Sequence, residues 1–134
     1  MTTTRTDDSA AIAQILAEQY KAWAAGDADA FVADYAEDAT AIMPGTYRRS
    51  RAEIRQGMAD SFATVLANST VIDDIGDIRF LGADHAVVVS RAAILFAGET
   101  DVPADRYVNA TWILHRRDGK WTVAAYHNSP AAAR

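Results

Sequence analysis

The stretch Trp112–Ser129, WILHRRDGKWTVAAYHNS, contains two runs of aromatic and β-branched residues separated by Asp118 and Gly119. An Asp-Gly pair between two such runs is a strong signal for a β-hairpin with a tight turn. We therefore predict that the chain ends in two antiparallel strands. Side chains alternate between the faces of a strand, so Trp121 and His127 are predicted to lie on the same face.

Two registers are open for this hairpin. If Asp118 and Gly119 form a two-residue loop, His127 lies opposite Ala110. If Gly119 is instead the bulge residue of a three-residue loop, His127 lies opposite Asn109. The register decides which residues of the first strand share a face with His127.

The composition narrows the classes of protein to which the chain can belong. Its 134 residues are 50% hydrophobic and 23% charged, which fits one soluble globular domain over residues 1–134. The net charge of -5 argues against nucleic acid or an anionic membrane as the main partner, because phosphate binding needs concentrated Lys and Arg. We therefore predict no nucleic-acid partner and no membrane partner.

Several kinds of site and segment lack their sequence signals. The chain has no cysteine, which excludes disulfides and thiolate chemistry. Its three histidines are far apart and form no HxH or HExxH motif, so we predict no metal. There is no apolar run of about 18 residues that would span a membrane. The start, MTTTRTDDSAAIAQ, lacks the apolar core of a signal peptide, so we predict a cytoplasmic protein.

The first part of the chain shows helical patterns. Apolar residues recur at helical spacing over Ser9–Ala25, and the polar Gln19 lies on the same stripe. Asp27 can cap a second, short helix through residues 27–38. The segment ATAIMPG, residues 39–45, then predicts a short strand that ends at its Pro-Gly pair.

The rest of the chain contains one more helix and then strands. Ser50 and Glu53 have capping-box spacing and predict a third helix that ends near residues 68–69. TVIDDIGDIRFLG, with a bulge at Gly76, and HAVVVSRAAILFAG predict two long strands before the hairpin. Early helices and late antiparallel strands predict an α+β fold, with the helices on one face of a curved, mostly antiparallel sheet and a ligand pocket between the layers.

Two segments carry a resemblance to a known family. AGDADAFVADYAEDATAIMPG, residues 25–45, followed by a capped helix and DGKWTVAAYHNS, resembles the nuclear transport factor 2-like (NTF2-like) superfamily. Within it the chain is similar to the SnoaL-like and SgcJ-like proteins of bacterial polyketide and enediyne antibiotic biosynthesis. HRRDGKW also resembles the association domain of calmodulin-dependent kinases, which has this fold and no catalytic role. The resemblance implies a cone-shaped α+β barrel with three N-terminal helices, a pocket in the cone, and a homodimer formed through the outer face of the sheet.

The resemblance also favours one hairpin register. Ketosteroid isomerases, which share this fold, line their pocket from the positions that match Thr111 and His127. Together with strand alternation, this match favours the bulged register. It predicts that Asn109, Thr111 and Ile113 face the pocket together with His127.

The ketosteroid isomerase reaction needs a carboxylate base and an oxyanion hole made by a tyrosine and a protonated aspartic acid. In an alignment without gaps, the base position falls on Met43. The oxyanion tyrosine falls on Gln19 and the aspartic acid on Thr111. Because a methionine cannot abstract a proton, the resemblance does not extend to that activity in its usual form.

His127 is the candidate catalytic residue, because an imidazole titrates near neutral pH and can act as a general acid or base. The alternative is a histidine at the edge of the core that bonds to neighbouring backbone or to Asn109. Gln19, Asn109 and Thr111 are candidates for orienting a ligand carbonyl or hydroxyl. They could equally form a buried hydrogen-bond network that satisfies itself.

The other candidates for the pocket are aromatic or apolar. Tyr35 can donate to a ligand oxygen or to Gln19, and Tyr47 lies on a loop that can form the rim. The remaining candidates would form apolar walls, with core packing as the alternative: Trp23, Met43, Met58, Phe62 and Trp121.

Ser90 and Arg91 interrupt a long apolar run, and alternation allows only one of them to face inward. Alignment on Gly98 favours Ser90 inside and Arg91 on the outer face. An inward Arg91 would instead form a carboxylate-binding site.

Two functions fit this pattern. The first is a pocket protein of bacterial secondary metabolism that acts without a cofactor on an apolar, conjugated, polyketide-derived intermediate. Its chemistry would be acid/base catalysis of a cyclisation, isomerisation or hydration. The second is a non-catalytic binding, chaperone or assembly module of the same fold. Turnover by the purified protein would favour the first function, and stoichiometric binding without conversion would favour the second.

Overall fold

The computed structural model describes residues 5–132. These residues form helices α1 (Arg5–Ala25), α2 (Ala28–Phe31) and α3 (Arg51–Phe62), and a short 3-10 helix over Ala104–Arg106. The strands are β1 (Tyr35–Met43), β2 (Thr46–Arg48), β3 (Thr70–Phe80), β4 (His85–Leu95), β5 (Val108–Arg117) and β6 (Lys120–Pro130). None of the helices in this part of the chain is both long and apolar enough to cross a membrane.

The strands form one curled, unclosed sheet in the order β2-β1-β6-β5-β4-β3. β1 and β6 run parallel, and every other neighbouring pair runs antiparallel. The sheet and the three α-helices confirm the predicted α+β class. The sequence analysis did not predict β2. It forms because the chain reverses at Pro44 and Gly45, where Gly45 has a φ of +77°, and pairs back onto β1.

The second helix is shorter than predicted. Asp27 does cap it, and its side chain accepts a hydrogen bond from the backbone N–H of Ala30 at 3.0 Å. The helix ends at Phe31, however, because the chain from Tyr35 onward pairs with β6 instead of continuing as helix. Tertiary pairing outweighs a weak local helical preference here.

The third helix begins as predicted and ends earlier. Ser50 Oγ accepts a hydrogen bond from the backbone N–H of Glu53 at 3.1 Å, and the Glu53 carboxylate accepts one from the backbone N–H of Arg49. The Ser50 bond satisfies an amide that the helix start leaves without a partner, and the Glu53 bond fixes the residue that precedes the cap. After Phe62 the chain forms turns up to Asn68, whose φ is +58°.

A buried carboxylate joins α1 to the hairpin. Asp8 is only 2% exposed, and its Oδ1 accepts hydrogen bonds from Trp121 Nε1 at 3.1 Å and from an Arg116 guanidinium nitrogen at 3.0 Å. Trp121 is therefore a core residue anchored to α1, in agreement with the packing alternative.

The hairpin turn is the two-residue loop. Arg117 pairs with Lys120, and the two residues between them, Asp118 and Gly119, have φ values of +54° and +77°. Positive φ at both central positions is typical of the turn that suits the twist of paired strands. The three-residue loop that we favoured is wrong.

A bulge further along β6 also changes the pairing that the two-residue loop predicts for His127. Leu114 pairs with Val123, but Ile113 pairs with Ala125, so Ala124 has no partner across the ladder. One extra residue in a strand moves every later side chain to the opposite face. His127 consequently pairs with Thr111, and not with Ala110 or Asn109.

The bulge reverses the predicted faces at the pocket end of the hairpin. Trp121 and Val123 are buried, but beyond the bulge Tyr126 and Asn128 point to the pocket and His127 is exposed. On β5 the inward residues lie at even positions: Ala110, Trp112 and Leu114. The prediction that Asn109, Thr111 and Ile113 face the pocket is wrong because the two-residue loop sets the even positions of β5 opposite Trp121 and Val123. The prediction for His127 is wrong because of the bulge.

The long β3–β4 pair agrees with the sequence analysis. Ile75 pairs with Ser90 and Asp77 with Val89, which places the predicted bulge at Gly76. Ser90 is buried and Arg91 is exposed, with its guanidinium 3.8 Å from the centre of the Tyr107 ring. The prediction that Ser90 faces inward and Arg91 faces outward is therefore confirmed.

Candidate functional site

A pocket of about 300 Å³ lies between the helices and the inner face of the sheet. This volume is at the small end of the range for small-molecule sites. Its aromatic walls come from α1, α2, β5 and β6: Tyr20, Trp23, Phe31, Trp112 and Tyr126. The rings of Trp112 and Tyr126 lie 4.3 Å apart, centre to centre, across the β5–β6 ladder.

Five of the predicted pocket residues line this space. They come from α1, β1 and α3: Gln19, Trp23, Tyr35, Met43 and Met58. Gln19 and Trp23 lie on α1, one helical turn apart, which aims both side chains at the sheet. Met43 ends β1, and Met58 faces it from α3.

The other predicted residues lie outside the lining. Tyr47 is 56% exposed on β2, and Phe62 packs behind Trp23 with ring centres 5.7 Å apart. Ser90 is buried in the sheet away from the lining residues. Three more lie on the outer face of the sheet: Asn109, Thr111 and His127.

Gln19 and Tyr35 form the predicted pair. The Tyr35 hydroxyl donates to Gln19 Oε1, while Gln19 Nε2 has no hydrogen-bond partner among the described residues. Gln19 is only 3% exposed, so this amide N–H can be satisfied by something inside the pocket. Burial raises the pKa of Tyr35 well above 10.0, which keeps the phenol protonated as a donor.

A second set of donors lies on the sheet side. Trp112 is 2% exposed, and its Nε1–H has no partner within residues 5–132. The Tyr126 hydroxyl accepts a hydrogen bond from Asn128 Nδ2 at 2.8 Å, which leaves its own proton available. Burial raises the pKa of Tyr126 above 10.0, so it too remains a phenol at neutral pH.

Asp73 lies on β3 and is not one of the residues that line the pocket. Burial raises the pKa of its carboxyl above 3.8, and the nearby charge of Asp74 adds to the rise. The Ser90 hydroxyl opposes the shift, although neither Ser90 Oγ nor Asp73 Oδ1 makes a hydrogen bond of normal geometry within the described residues. Burial is the main cause that raises the pKa of Tyr20 well above 10.0, and the charges of Tyr126 and Asp73 add to that rise. The Asp73 charge likewise adds to the effect of burial on the pKa of Tyr126.

Two arginines line the pocket, and they differ in whether a carboxylate pairs with them. Arg106 makes a two-pronged ion pair with Glu99, with N–O distances of 2.5 and 3.0 Å. Arg48 donates to Met58 Sδ at 3.3 Å and has no ion pair within the described part of the chain. Among the described residues the lining contains no carboxylate and no imidazole.

The sequence matches the family model of the SnoaL-like domain over residues 12–133. The chain belongs to the SnoaL-like domain family. No curated protein sequence matches this SnoaL-like chain.

Solved structures place the SnoaL-like domain among cystatin-like and NTF2-like folds. A domain of unknown function from Nostoc punctiforme is 24% identical, with a TM-score of 0.88 and coverage of 98% of this chain and 81% of that chain. A ketosteroid isomerase-like protein from Erwinia carotovora atroseptica is 21% identical, with a TM-score of 0.72 and coverage of 92% and 96%. A candidate calcium/calmodulin-dependent protein kinase type II association domain from Thiobacillus denitrificans is 20% identical, with a TM-score of 0.75 and coverage of 88% and 93%. At these identities the likeness shows the fold.

Within this SnoaL-like pocket, the sequence analysis missed the residues that depend on the bulge and on β2. Tyr126 and Asn128 were missed because simple alternation from Trp121 places them outside. Arg48 was missed because a three-residue edge strand has too little sequence for its inward face to be read.

Proposed function

We propose that this SnoaL-like domain binds an apolar, conjugated small molecule that carries a hydrogen-bond acceptor. One observation carries the proposal: the buried N–H groups of Gln19 and Trp112 have no partner in the described chain and belong to residues that line the pocket. A buried donor without a partner costs about 1–3 kcal/mol. A carbonyl or hydroxyl oxygen of a ligand would remove that cost.

The walls suit a flat, conjugated ligand. Aromatic rings attract the faces and edges of other π-systems, and this pocket is mostly aromatic and aliphatic. The sequence resemblance to SgcJ-like proteins supports a polyketide-derived intermediate of bacterial secondary metabolism, met in the cytoplasm. Binding or carrying this intermediate fits the lining better than catalysis does, because the lining offers phenols, amides and guanidinium groups but no group that readily accepts a proton at neutral pH.

Calorimetric titration with two naphthalenes of the same shape tests the proposal. We expect 2-acetylnaphthalene, which has a carbonyl acceptor, to bind more tightly than 2-ethylnaphthalene, which has none. Trp112→Phe keeps an aromatic ring but removes the N–H, and should weaken binding of the ketone by about 3- to 10-fold while leaving the hydrocarbon unchanged. Equal affinity for the two compounds in the wild type, or no binding of either, would overturn the proposal.

Cofactor-free proton transfer is the second candidate, and Asp73 is the observation that favours it. Its raised pKa and its electrostatic contact with Tyr20 and Tyr126 place an acid close to two phenols that line the pocket. A phenol could donate to a ligand oxygen during an isomerisation or cyclisation while Asp73 tunes its acidity.

Mass spectrometry of purified protein incubated with candidate polyenes and aromatic ketones separates the two functions. Turnover that falls in Asp73→Asn and persists in Asp77→Asn supports catalysis, because Asp77 is an exposed carboxylate on the same strand. Stoichiometric binding with no converted product supports the binding function.

A further inference from the structure

Arg48 is a half-buried cation in an otherwise uncharged part of the pocket. It comes from the edge strand β2, and its guanidinium lies against α3, where its nearest polar contact is Met58 Sδ at 3.3 Å. A thioether is a weak acceptor and does not neutralise a charge. The other pocket arginine, Arg106, is neutralised by Glu99, so the charge of Arg48 is left without a counter-ion in the described lining.

Gly57 makes room for this guanidinium. A Cβ at Gly57 would lie 2.5 Å from Arg48 Cζ and 2.6 Å from Nε, which is closer than non-bonded atoms approach. Glycine weakens a helix interior relative to alanine, and Gly57 lies in the middle of α3. The helix therefore contains a destabilising residue at a position that the guanidinium closely approaches.

The surroundings keep Arg48 charged although they do not pair it. Burial lowers the pKa of the guanidinium, while the Asp60 carboxylate and Tyr35 oppose that change. Arginine still remains protonated at neutral pH. The chain as a whole has a net charge of -5, so a local positive site in its pocket runs against the overall charge.

We propose that Arg48 gives the pocket a preference for ligands that bear a carboxylate on their apolar, aromatic body. A guanidinium fork matches the two oxygens of a carboxylate, and partial burial strengthens the charge-assisted bonds. The ligand would place its aromatic part against the pocket side of Tyr20 and Trp112 and its carboxylate at Arg48. This inference rests on the proposed small-molecule function and names the ligand class.

The experiment compares 2-naphthoate with the neutral 2-naphthamide by calorimetric titration at neutral pH. The wild-type protein is expected to bind the carboxylate about 10- to 100-fold more tightly than the amide. Arg48→Met keeps an apolar stem of similar length and should bring the affinities for the two probes within about twofold of each other. Arg49→Met is the matched control, because Arg49 is exposed over the Tyr47 ring outside the lining, and it should retain the preference.

Gly57→Ala gives a second test in a chain that keeps all its charges. The added methyl group forces the guanidinium away from α3, so the preference for naphthoate should fall by about 10-fold or more. The variant should melt no lower than the wild type, because alanine favours helix more than glycine. Loss of the preference in a stable protein separates the position of the guanidinium from any effect on folding.

The outcomes distinguish this inference from the function on which it rests. Equal affinity for the two probes in the wild type, or a preference that persists in both Arg48→Met and Gly57→Ala, would overturn the role of Arg48 alone. Failure of the wild type to bind either naphthalene would overturn the proposed function and this inference together.

Discussion

Asp73 is the residue for which the structure predicts a pH-dependent contribution to stability. Burial raises the pKa of its carboxyl in the folded state above 3.8, so folding favours the protonated form. The stabilising contribution is fully present below pH 3.8 and is lost as the pH rises through the folded-state pKa. Asp73→Asn imitates the protonated form and should melt a few degrees above the wild type at pH 7.

Thermal melts of both proteins from about pH 3.5 to about pH 8 check this prediction, because that range begins below the ordinary carboxyl pKa of 3.8. The difference between the two melting temperatures should shrink as the pH falls. Asp77→Asn, at an exposed position on the same strand, serves as the control and should show no such trend. A difference for Asp73→Asn that is constant over the whole pH range would contradict the assignment.

His127 is predicted to have no part in ligand binding. Its side chain is exposed and lies outside the pocket lining, on the face opposite Tyr126. His127→Ala should therefore leave the affinity for 2-acetylnaphthalene within about twofold of the wild-type value. The same titration would show a much larger loss if the imidazole reached the ligand.

At the residue scale, the sequence was informative where one element set the direction of a side chain. The stripe on α1 placed Gln19 correctly, because a long helix has a fixed period and only one buried face. The sequence was uninformative for Arg48. The direction of that side chain depends on how β2 pairs with β1, and strand pairing is a tertiary property.

At the scale of the elements, Asp8 holds α1 against the β5–β6 hairpin. Its Oδ1 accepts from both Trp121 and Arg116, on the two strands of the hairpin. Asp8→Ala leaves the Trp121 N–H and part of the Arg116 charge without partners in the core. We expect the free energy of unfolding to fall by roughly 2–3 kcal/mol.

Urea denaturation measures this change. The control is Asp84→Ala, because Asp84 also pairs with Arg116, at 3.3 Å, but is itself exposed. That variant should lose less than about 1 kcal/mol. Equal losses in the two variants would mean that burial of Asp8 adds nothing to the contact.

The hairpin shows why elements are easier to predict than their faces. The Asp-Gly turn and both strands could be predicted, since turn residues and β-branched runs act locally. The bulge at Ala124 could not, because alanine has no conformational signature of a bulge, unlike Gly76 on β3. One unpaired residue turned the predicted His127 away from the pocket and turned Tyr126 and Asn128 toward it.

At the scale of the whole molecule, one row on the outer face of the sheet is left uncovered by the other elements of residues 5–132 and contains two exposed aliphatic side chains. Four directly paired positions cross four strands there: Val89, Thr111, His127 and Ile42. Val89 is 41% exposed and Ile42 is 43% exposed, which is high for branched aliphatic residues in the middle of a sheet. The helices pack on the other face. We propose that a second copy of the chain covers this row and forms a homodimer.

Light scattering coupled to gel filtration tests the dimer. The wild type should have twice the molar mass of the chain, and Val89→Glu should shift it to the monomer, because a dimer would bury an unpaired carboxylate within its interface. Val65→Glu makes the same substitution at a site that is 72% exposed and away from the sheet, so it should remain dimeric. A monomeric wild type, or a Val89→Glu variant that stays dimeric, would remove the outer face as the interface. If the dimer forms as proposed, His127 belongs to subunit assembly, and the proton chemistry that its sequence position suggested has to be sought among the phenols on the other side of the sheet.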